Sequence, residues 1–144
     1  YGGSADGEYP NRFESYEQSI EKIHSKGLIK FSADVAAEWF HKGREDPMYP
    51  FTIEAGRKSN KEASINHIQS WSKWKTSDRL NKVKTPTLIV CGEHDRSTHP
   101  DLSIYLWKNI KSSSLFIIPN AGHIAHLEYP DEFNSIIGKY LRQS

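Results

Sequence analysis

The chain is poor in cysteine and has no long apolar run. Its single cysteine, Cys91, excludes an internal disulfide framework and a zinc site built from cysteines. No apolar run approaches the roughly 20 residues that a membrane-spanning helix needs. The formal net charge is only +1, with 26% charged residues, so the sequence lacks the basic excess that is typical of nucleic-acid binders. We therefore expect neither a nucleic-acid partner nor a membrane partner.

The beginning of the chain lacks the features of a protein start. The first residue is Tyr1 rather than Met, and a Gly-rich stretch, 2–7, follows directly. This composition is typical of a loop. At 144 residues the chain is long enough for one domain with its own core, but we expect it to be part of a longer protein. No compartment is assigned from it.

Helical periodicity dominates the first part of the chain, residues 1–78. Apolar residues recur there at helical spacing, and glycines stand where helices are expected to end. Ser32 is the expected N-cap of the second helix. The prolines of residues 44–50 predict a loop. The expected helices cover residues 11–26, 32–43 and 59–74.

The pattern changes at Pro86. Two short apolar runs, 88–91 and 115–118, have the character of buried strands. Helices are expected to begin at Pro100 and Pro130, because proline is well tolerated at the first helical position. The order strand, helix, strand, helix implies a parallel pair joined by a right-handed crossover. The sequence therefore predicts the α/β class, with a parallel sheet preceded by a helical module.

An ionisable residue follows each predicted strand. Asp95 comes after the first strand, and His123 comes after the second, 28 residues later. In open α/β sheets the chemistry lies just beyond the carboxyl ends of the strands, so we expect these two side chains to meet there. A carboxylate that holds one nitrogen of an imidazole is the arrangement of a general base. Asp95 and His123 are the candidate catalytic residues.

Other interpretations of these residues are structural. An Asp after Gly-x-x is often only a turn residue, and a His after a strand is often a loop histidine. The four histidines near the strand ends lie on two loops without a matching carboxylate helix, which disfavours a metal site. They are His94, His99, His123 and His126. His126 and Glu128 are expected to anchor the loop after His123, and the four tryptophans belong either to a core or to a substrate pocket.

The C-terminal half resembles the α/β-hydrolase superfamily. Residues 86–95 (Pro-Thr-Leu-Ile-Val-Cys-Gly-Glu-His-Asp) are similar to the strand and turn that carry the catalytic acid in that family. Residues 120–123 (Asn-Ala-Gly-His) and 127–130 (Leu-Glu-Tyr-Pro) are similar to its histidine loop and the start of its last helix. The resemblance implies that residues 79–144 form the C-terminal part of the hydrolase core. In position and helicity, residues 1–78 are similar to the family's cap.

By this resemblance Asp95 orients His123, and His123 deprotonates a nucleophile and then a water. The family carries its nucleophile on a G-x-S-x-G elbow, which this sequence lacks. The nearest serine, Ser4, stands in Gly-Gly-Ser-Ala-Asp, which fails at the last position. We therefore expect the nucleophile to lie upstream of this chain. The chain is then a C-terminal fragment, poorly stable and inactive by itself.

Three functions follow from these observations. The leading hypothesis is a capped serine hydrolase that acts on an ester, or on a carbon–carbon or amide bond, of a small apolar substrate. A haloalkane dehalogenase or epoxide hydrolase with an aspartate nucleophile is the first alternative. The second is a hydrolase-fold protein that binds without catalysis. The expected partner is a small-molecule substrate, no cofactor or metal is expected, and the oligomeric state is left open.

Overall fold

A computed structural model describes residues 3–10 and 12–142 of the chain. Its helices and strands alternate only in the second half. In chain order they are α1 (Tyr16–Lys26), α2 (Leu28–Trp39), α3 (Tyr49–Arg57), α4 (Lys61–Ser72), β1 (Thr87–Gly92), α5 (Pro100–Asn109), β2 (Ser113–Ile118), α6 (Ala125–Glu128) and α7 (Pro130–Leu141). Short 3-10 turns lie at Gly43–Glu45 and Ser77–Lys82. Within the described ranges, every helix is too short or too polar to cross a membrane.

The two strands form a parallel pair. Thr87 lies opposite Ser113 at one end, and Gly92 lies opposite Ile118 at the other. Successive side chains of a strand point to opposite faces. One face packs on α7 through Val90, Ile118 and Ile136, and α5 contacts both strands. The predicted α/β class and parallel sheet are confirmed.

The helices beside the sheet begin where the prolines predict. Both α5 and α7 have a proline in their first turn. Two apolar side chains of these helices remain outside the core: Leu141 is 67% exposed, and Tyr105 is also exposed. On the sheet itself Phe116 is 42% exposed. The apolar surface of the sheet is therefore only partly covered.

The first helix begins later than the sequence predicts. Residues 12–15 are not helical, and α1 starts after Ser15, which accepts a hydrogen bond from the backbone N–H of Gln18. The Gln18 side chain accepts in turn from the Ser15 N–H, which completes a capping box. The predicted start, Asn11, lies outside the described residues. Helical spacing of apolar residues before Ser15 extended the prediction too far.

The second helix begins earlier than the sequence predicts. It starts at Leu28, immediately after Gly27, and Ser32 lies inside it. Gly27 has φ 82° and ψ 152°, a conformation that is almost restricted to glycine. That conformation ends α1 and lets the chain turn directly into α2. Although Ser32 has the sequence context of an N-cap, the N-cap of α2 is Gly27, which is also the C-cap of α1.

The third helix, α3, was not predicted. Residues 44–50 were expected to be a loop, but Pro50 lies in the first turn of α3, where a missing N–H costs little. The following helix, α4, begins at Lys61 after Asn60, whose side chain accepts from the N–H of Ala63. The predicted helix over 59–74 therefore exists but is shorter. Helix α1 packs on α2 and α4, and α2 packs on α3.

Candidate active site

The loops after the two strands are joined beyond the sheet. The N–H of Glu93 donates to the carbonyl of Ile118 at 2.9 Å, and the N–H of His94 donates to the carbonyl of Ala121 at 2.8 Å. These bonds extend the parallel pairing past the strand ends. They bring the segment that carries Asp95 alongside the segment that carries His123.

Asp95 is held by its own loop. It is buried, with 1% of its surface exposed. Its Oδ1 accepts from the backbone N–H of Ser97 at 2.9 Å and of Thr98 at 2.8 Å. Its Oδ2 accepts from the Thr98 hydroxyl at 3.0 Å. A buried carboxylate needs such donors, and together they fix its orientation.

Asp95 and His123 are in direct contact. Asp95 Oδ2 lies 2.9 Å from His123 Nδ1, and the Thr98 hydroxyl oxygen lies 3.3 Å from the same nitrogen. The His123 side chain is 19% exposed, so it is accessible from one side. The sequence-predicted pair is therefore brought together with the geometry of an imidazole oriented by a carboxylate.

The histidine loop is tied to the end of α2. The backbone N–H of His123 donates to the carbonyl of Trp39 at 2.7 Å. The Glu128 carboxylate accepts from the N–H of His41 at 2.7 Å and from the N–H of Gly122 at 2.6 Å. Burial raises the pKa of Glu128, although these two donors act against that shift. Glu128 thus bridges the helical part of the chain and the loop before His123.

Gly122 is required for this close approach. A β-carbon at that position would lie 2.4 Å from the carbonyl oxygen of Trp39 and 2.7 Å from the backbone nitrogen of His41. Neither backbone atom has room to move without breaking the contacts described above. The Arg96 guanidinium strengthens the same junction by donating to the carbonyl of Phe40 at 2.9 Å.

A cavity of about 520 Å³ opens beside His123. Four helices, α1 to α4, and the segment before α1 contribute most of its walls, and Ser97 and Thr98 line it beside His123. Trp39 and Trp71 are among the lining residues, whereas Trp74 and Trp107 are not. Its size and apolar walls are those of a small-molecule site.

Sequence reasoning missed two residues of this site, Thr98 and Arg96. The spacing Asp95-x-Ser-Thr98 is a signal for Thr98, because an Asp side chain often accepts from N–H groups two and three residues onward. No local signal identifies Arg96, because its acceptor lies 56 residues away in the chain.

The described residues include no group of three or more His, Cys, Asp or Glu side chains that is arranged to hold a metal ion. His126 packs instead near Phe133, with ring centroids 5.7 Å apart. Burial lowers the pKa of His126, as expected for an imidazole inside the fold. His126 and Glu128 were expected to anchor the loop after His123, whereas the two hydrogen bonds of Glu128 hold Gly122, directly before His123, and His41.

The chain is similar in sequence and in fold to known proteins of one fold family. A family model described as alpha/beta hydrolase fold matches residues 9–130. The chain is 38% identical over 64 residues to 2-hydroxy-6-oxononadienedioate/2-hydroxy-6-oxononatrienedioate hydrolase 2 of Pseudomonas putida, covering 44% of this chain and 22% of that protein. It is 31% identical over 64 residues to the pimeloyl-[acyl-carrier protein] methyl ester esterase of Nitrosospira multiformis, covering 44% and 24%. The solved esterase of Thermogutta terrifontis superposes with a TM-score of 0.81 at 20% identity, covering 96% of this chain and 53% of that one.

The fold, the parallel strand ends and the family match define a class. The chain belongs to the alpha/beta hydrolase fold family. Its matches span about a quarter of the length of these curated relatives and about half of the solved structure. The relatives are hydrolytic enzymes, and the resemblance drawn from residues 86–95 and 120–130 is confirmed at the level of the family.

Proposed function

We propose that this chain provides the general base and the carboxylate of a nucleophile–His–acid triad in a hydrolase that cleaves an ester of a small, largely apolar molecule. The observation that carries the proposal is the 2.9 Å contact between Asp95 Oδ2 and His123 Nδ1. The carboxylate is buried, and the imidazole lines a cavity with mostly apolar walls. A merely structural Asp–His pair would not need to lie against such a cavity.

The proposed chemistry uses both nitrogens of His123. A hydrogen bond from Nδ1–H to Asp95 leaves the lone pair on Nε2. That nitrogen takes the proton of the nucleophile as the nucleophile attacks the ester carbonyl, and it returns the proton to the leaving alcohol as the C–O bond breaks. The same nitrogen then deprotonates a water that attacks the acyl-enzyme, and it passes this proton to the nucleophile as the bond to the acyl group breaks and the acid is released.

The proposal places the nucleophile outside the sequence described here. Ser4, the nearest candidate, donates its hydroxyl to the carbonyl of Asp6 at 2.5 Å and does not line the cavity. The proposed division is a cap over residues 1–78 and a partial core over 79–144. It is supported by the cavity, whose walls come from α1–α4 on one side and from the loops around Asp95 and His123 on the other.

The relatives favour hydrolysis, and two of them favour an ester. One curated relative is named a methyl ester esterase, and a solved neighbour is an esterase. Another relative is named a hydrolase of 2-hydroxy-6-oxononadienedioate. We therefore propose an ester as the cleaved bond, with a small-molecule substrate as the partner.

The test uses the complete product of the reading frame that contains this chain. We expect it to hydrolyse p-nitrophenyl butyrate and to be labelled once per molecule by a fluorophosphonate, as serine hydrolases are. The variant His123→Ala should lose both properties and keep the unfolding temperature of the parent. Hydrolysis without fluorophosphonate labelling would favour an aspartate nucleophile. Hydrolysis that survives in His123→Ala would contradict the proposal.

A further inference from the structure

The cavity beside His123 has an uneven distribution of charge. Half of its described lining residues are apolar or glycine, and the other half are eight hydroxyl-bearing residues, two histidines and one arginine. That lining contains one arginine, Arg12, and no lysine, aspartate or glutamate. A cation in an apolar wall is costly to desolvate unless an anion joins it, so Arg12 marks the part of the cavity where a negative group is favoured.

Arg12 is fixed in place by the segment before α1. Its Nε donates to the carbonyl of Glu14 at 2.7 Å. Its guanidinium carbon lies 3.8 Å from the centre of the Tyr16 ring, a cation–π contact. The Arg12 side chain is therefore positioned by a backbone carbonyl and an aromatic ring, and neither group carries a negative charge that would cancel its positive charge.

The surrounding protein neutralises Arg12 only in part, because the exposed Glu17 carboxylate interacts with it electrostatically. Within the described ranges, no acidic side chain forms an ion pair with it. Glu14 is the acidic residue that follows Arg12 in the chain, and its carboxylate is engaged by the Ser19 hydroxyl and by Lys22. A guanidinium has five N–H donors in a planar fork that matches the two oxygens of a carboxylate.

Arg12 is also linked to the Asp95 loop. The guanidinium carbon lies 5.9 Å from the centre of the Tyr9 ring, and the Tyr9 hydroxyl donates to the carbonyl of Ser97 at 2.7 Å. Ser97 donates its N–H to Asp95. Arg12 and His123 therefore line one cavity, and Arg12 is joined through the wall of that cavity to the loop that holds Asp95.

We propose that Arg12 is the specificity-determining residue of this cavity, and that the preferred substrates are esters which carry a carboxylate besides the bond that is cleaved. Half-esters of dicarboxylic acids are the simplest members of this class. The ester bond in this proposal rests on the proposed function, and the preference for a negative charge on the substrate rests on Arg12. An apolar chain between the two groups would lie along the aromatic and aliphatic walls.

The first test compares two esters of equal chain length. The neutral one is p-nitrophenyl valerate, and the anionic one is mono-p-nitrophenyl glutarate. With the complete reading-frame product at about pH 8, where ordinary imidazoles are neutral, kcat/KM should be higher for the glutarate ester. Arg12→Met should lower the ratio of the two kcat/KM values by about tenfold or more, since hydrogen bonds to charged groups are strong.

Two further variants separate charge recognition from folding. Arg12→Lys keeps the charge and should keep most of the preference for the glutarate ester. Arg79→Met removes a cation that lies outside this cavity and should leave the ratio unchanged. An equal loss in Arg12→Met and Arg79→Met would make the effect one of net charge and would overturn the proposal.

A binding measurement distinguishes failure of this proposal from failure of the proposed function. Hexanoate should bind more tightly than hexanol by about tenfold, measured by calorimetry, and Arg12→Met should abolish the difference. This preference in a protein that cleaves neither ester would support the role of Arg12 and contradict the ester hydrolase. Ester cleavage without any preference for the anionic ligand would overturn the role of Arg12 alone.

Discussion

At the level of single residues, the site depends on one buried carboxylate, Asp95, and one partly buried carboxylate, Glu128, with different tasks. Asp95 faces an imidazole and three further donors of its own loop, whereas Glu128 faces two backbone N–H groups from separate parts of the chain. The first carboxylate orients a side chain that would exchange protons. The second holds the backbone that carries this side chain. Substitutions at the two positions should therefore differ in their effect on rate and on stability.

Asp95→Asn tests the first role. The amide keeps the size of the side chain but presents an N–H₂ group toward His123 or toward the donors of the loop, so the imidazole tautomer is no longer fixed. In the complete reading-frame product we expect kcat to fall by about 10⁴-fold. The far-UV circular dichroism spectrum should be unchanged. A loss of less than about tenfold would remove Asp95 from the triad.

Glu128→Gln tests the second role. One of the two N–H donors, of His41 or of Gly122, would then face an amide N–H₂ and lose its partner. We expect the free energy of unfolding to fall by about 1–3 kcal/mol, measured by urea denaturation. Glu132→Gln, the same change at an exposed position of α7, is the matched control and should stay within about 0.5 kcal/mol. Equal effects of the two substitutions would contradict the bridging role.

Asp6 gives a prediction for pH. Its Oδ1 accepts from the N–H groups of Thr76 and Ser77 at 2.8 and 3.0 Å. Although burial acts to raise it, the pKa of Asp6 is lowered overall, chiefly because of its bonds to Ser77 and Thr76. A lowered pKa means that the stabilisation is complete above the unfolded pKa, near about 4, and is lost as the pH falls through the folded pKa.

The measurement is the free energy of unfolding of the parent and of Asp6→Asn across acidic pH. The difference between the two proteins should be constant above about pH 5 and should shrink toward lower pH. A difference that grows as the pH falls would show that the Asp6 carboxylate does not stabilise the fold in its charged form.

At the scale of elements, the helical part depends on how α1 passes into α2. Gly27→Ala should lower the free energy of unfolding by about 1–3 kcal/mol, because a β-carbon is strained at φ 82° and ψ 152°. Gly138→Ala, inside α7, is the matched control and should be neutral or stabilising by up to about 1 kcal/mol. Thermal unfolding measures both. If Gly27→Ala and Gly138→Ala lowered the free energy of unfolding equally, a β-carbon at Gly27 would not specifically strain the junction between α1 and α2.

Sequence patterns predicted these elements unevenly, for physical reasons. The strands were predicted within one or two residues, because a short apolar run between turn residues carries its own signal. The start of α2 was predicted too late, and α3 was not predicted. Their starts depend on Gly27 and on a proline in a first helical turn, which also occur in loops. A local pattern cannot tell whether such a glycine or proline starts a helix or lies in a loop when packing decides between the two.

At the scale of the whole molecule, the sheet has two strands and a partly exposed apolar surface. Within the described ranges, β1 and β2 pair only with each other, which leaves an unpaired edge on each. Phe116 is exposed on β2. A two-stranded sheet of this kind contributes little stability by itself.

We therefore predict that the isolated 144-residue chain is poorly stable and does not hydrolyse p-nitrophenyl acetate. Calorimetry should show a broad transition of low enthalpy, and the complete reading-frame product, as the control, should unfold cooperatively. An isolated chain that melts cooperatively and turns over the ester, with His123→Ala inactive, would contradict this prediction.

Local sequence patterns were sufficient to predict the class of the fold and to select the candidate catalytic pair. Apolar runs, turn residues and helical periodicity are local properties, and Asp95 and His123 follow directly from the strand ends. Three features came from the folded structure alone: the bridge made by Glu128, the hydrogen bonds donated by Arg96 and Thr98, and the cavity that Arg12 lines. These features join backbone and side-chain atoms that lie far apart in the chain or depend on the orientation of a loop. Their geometry is set by packing, which no local pattern encodes.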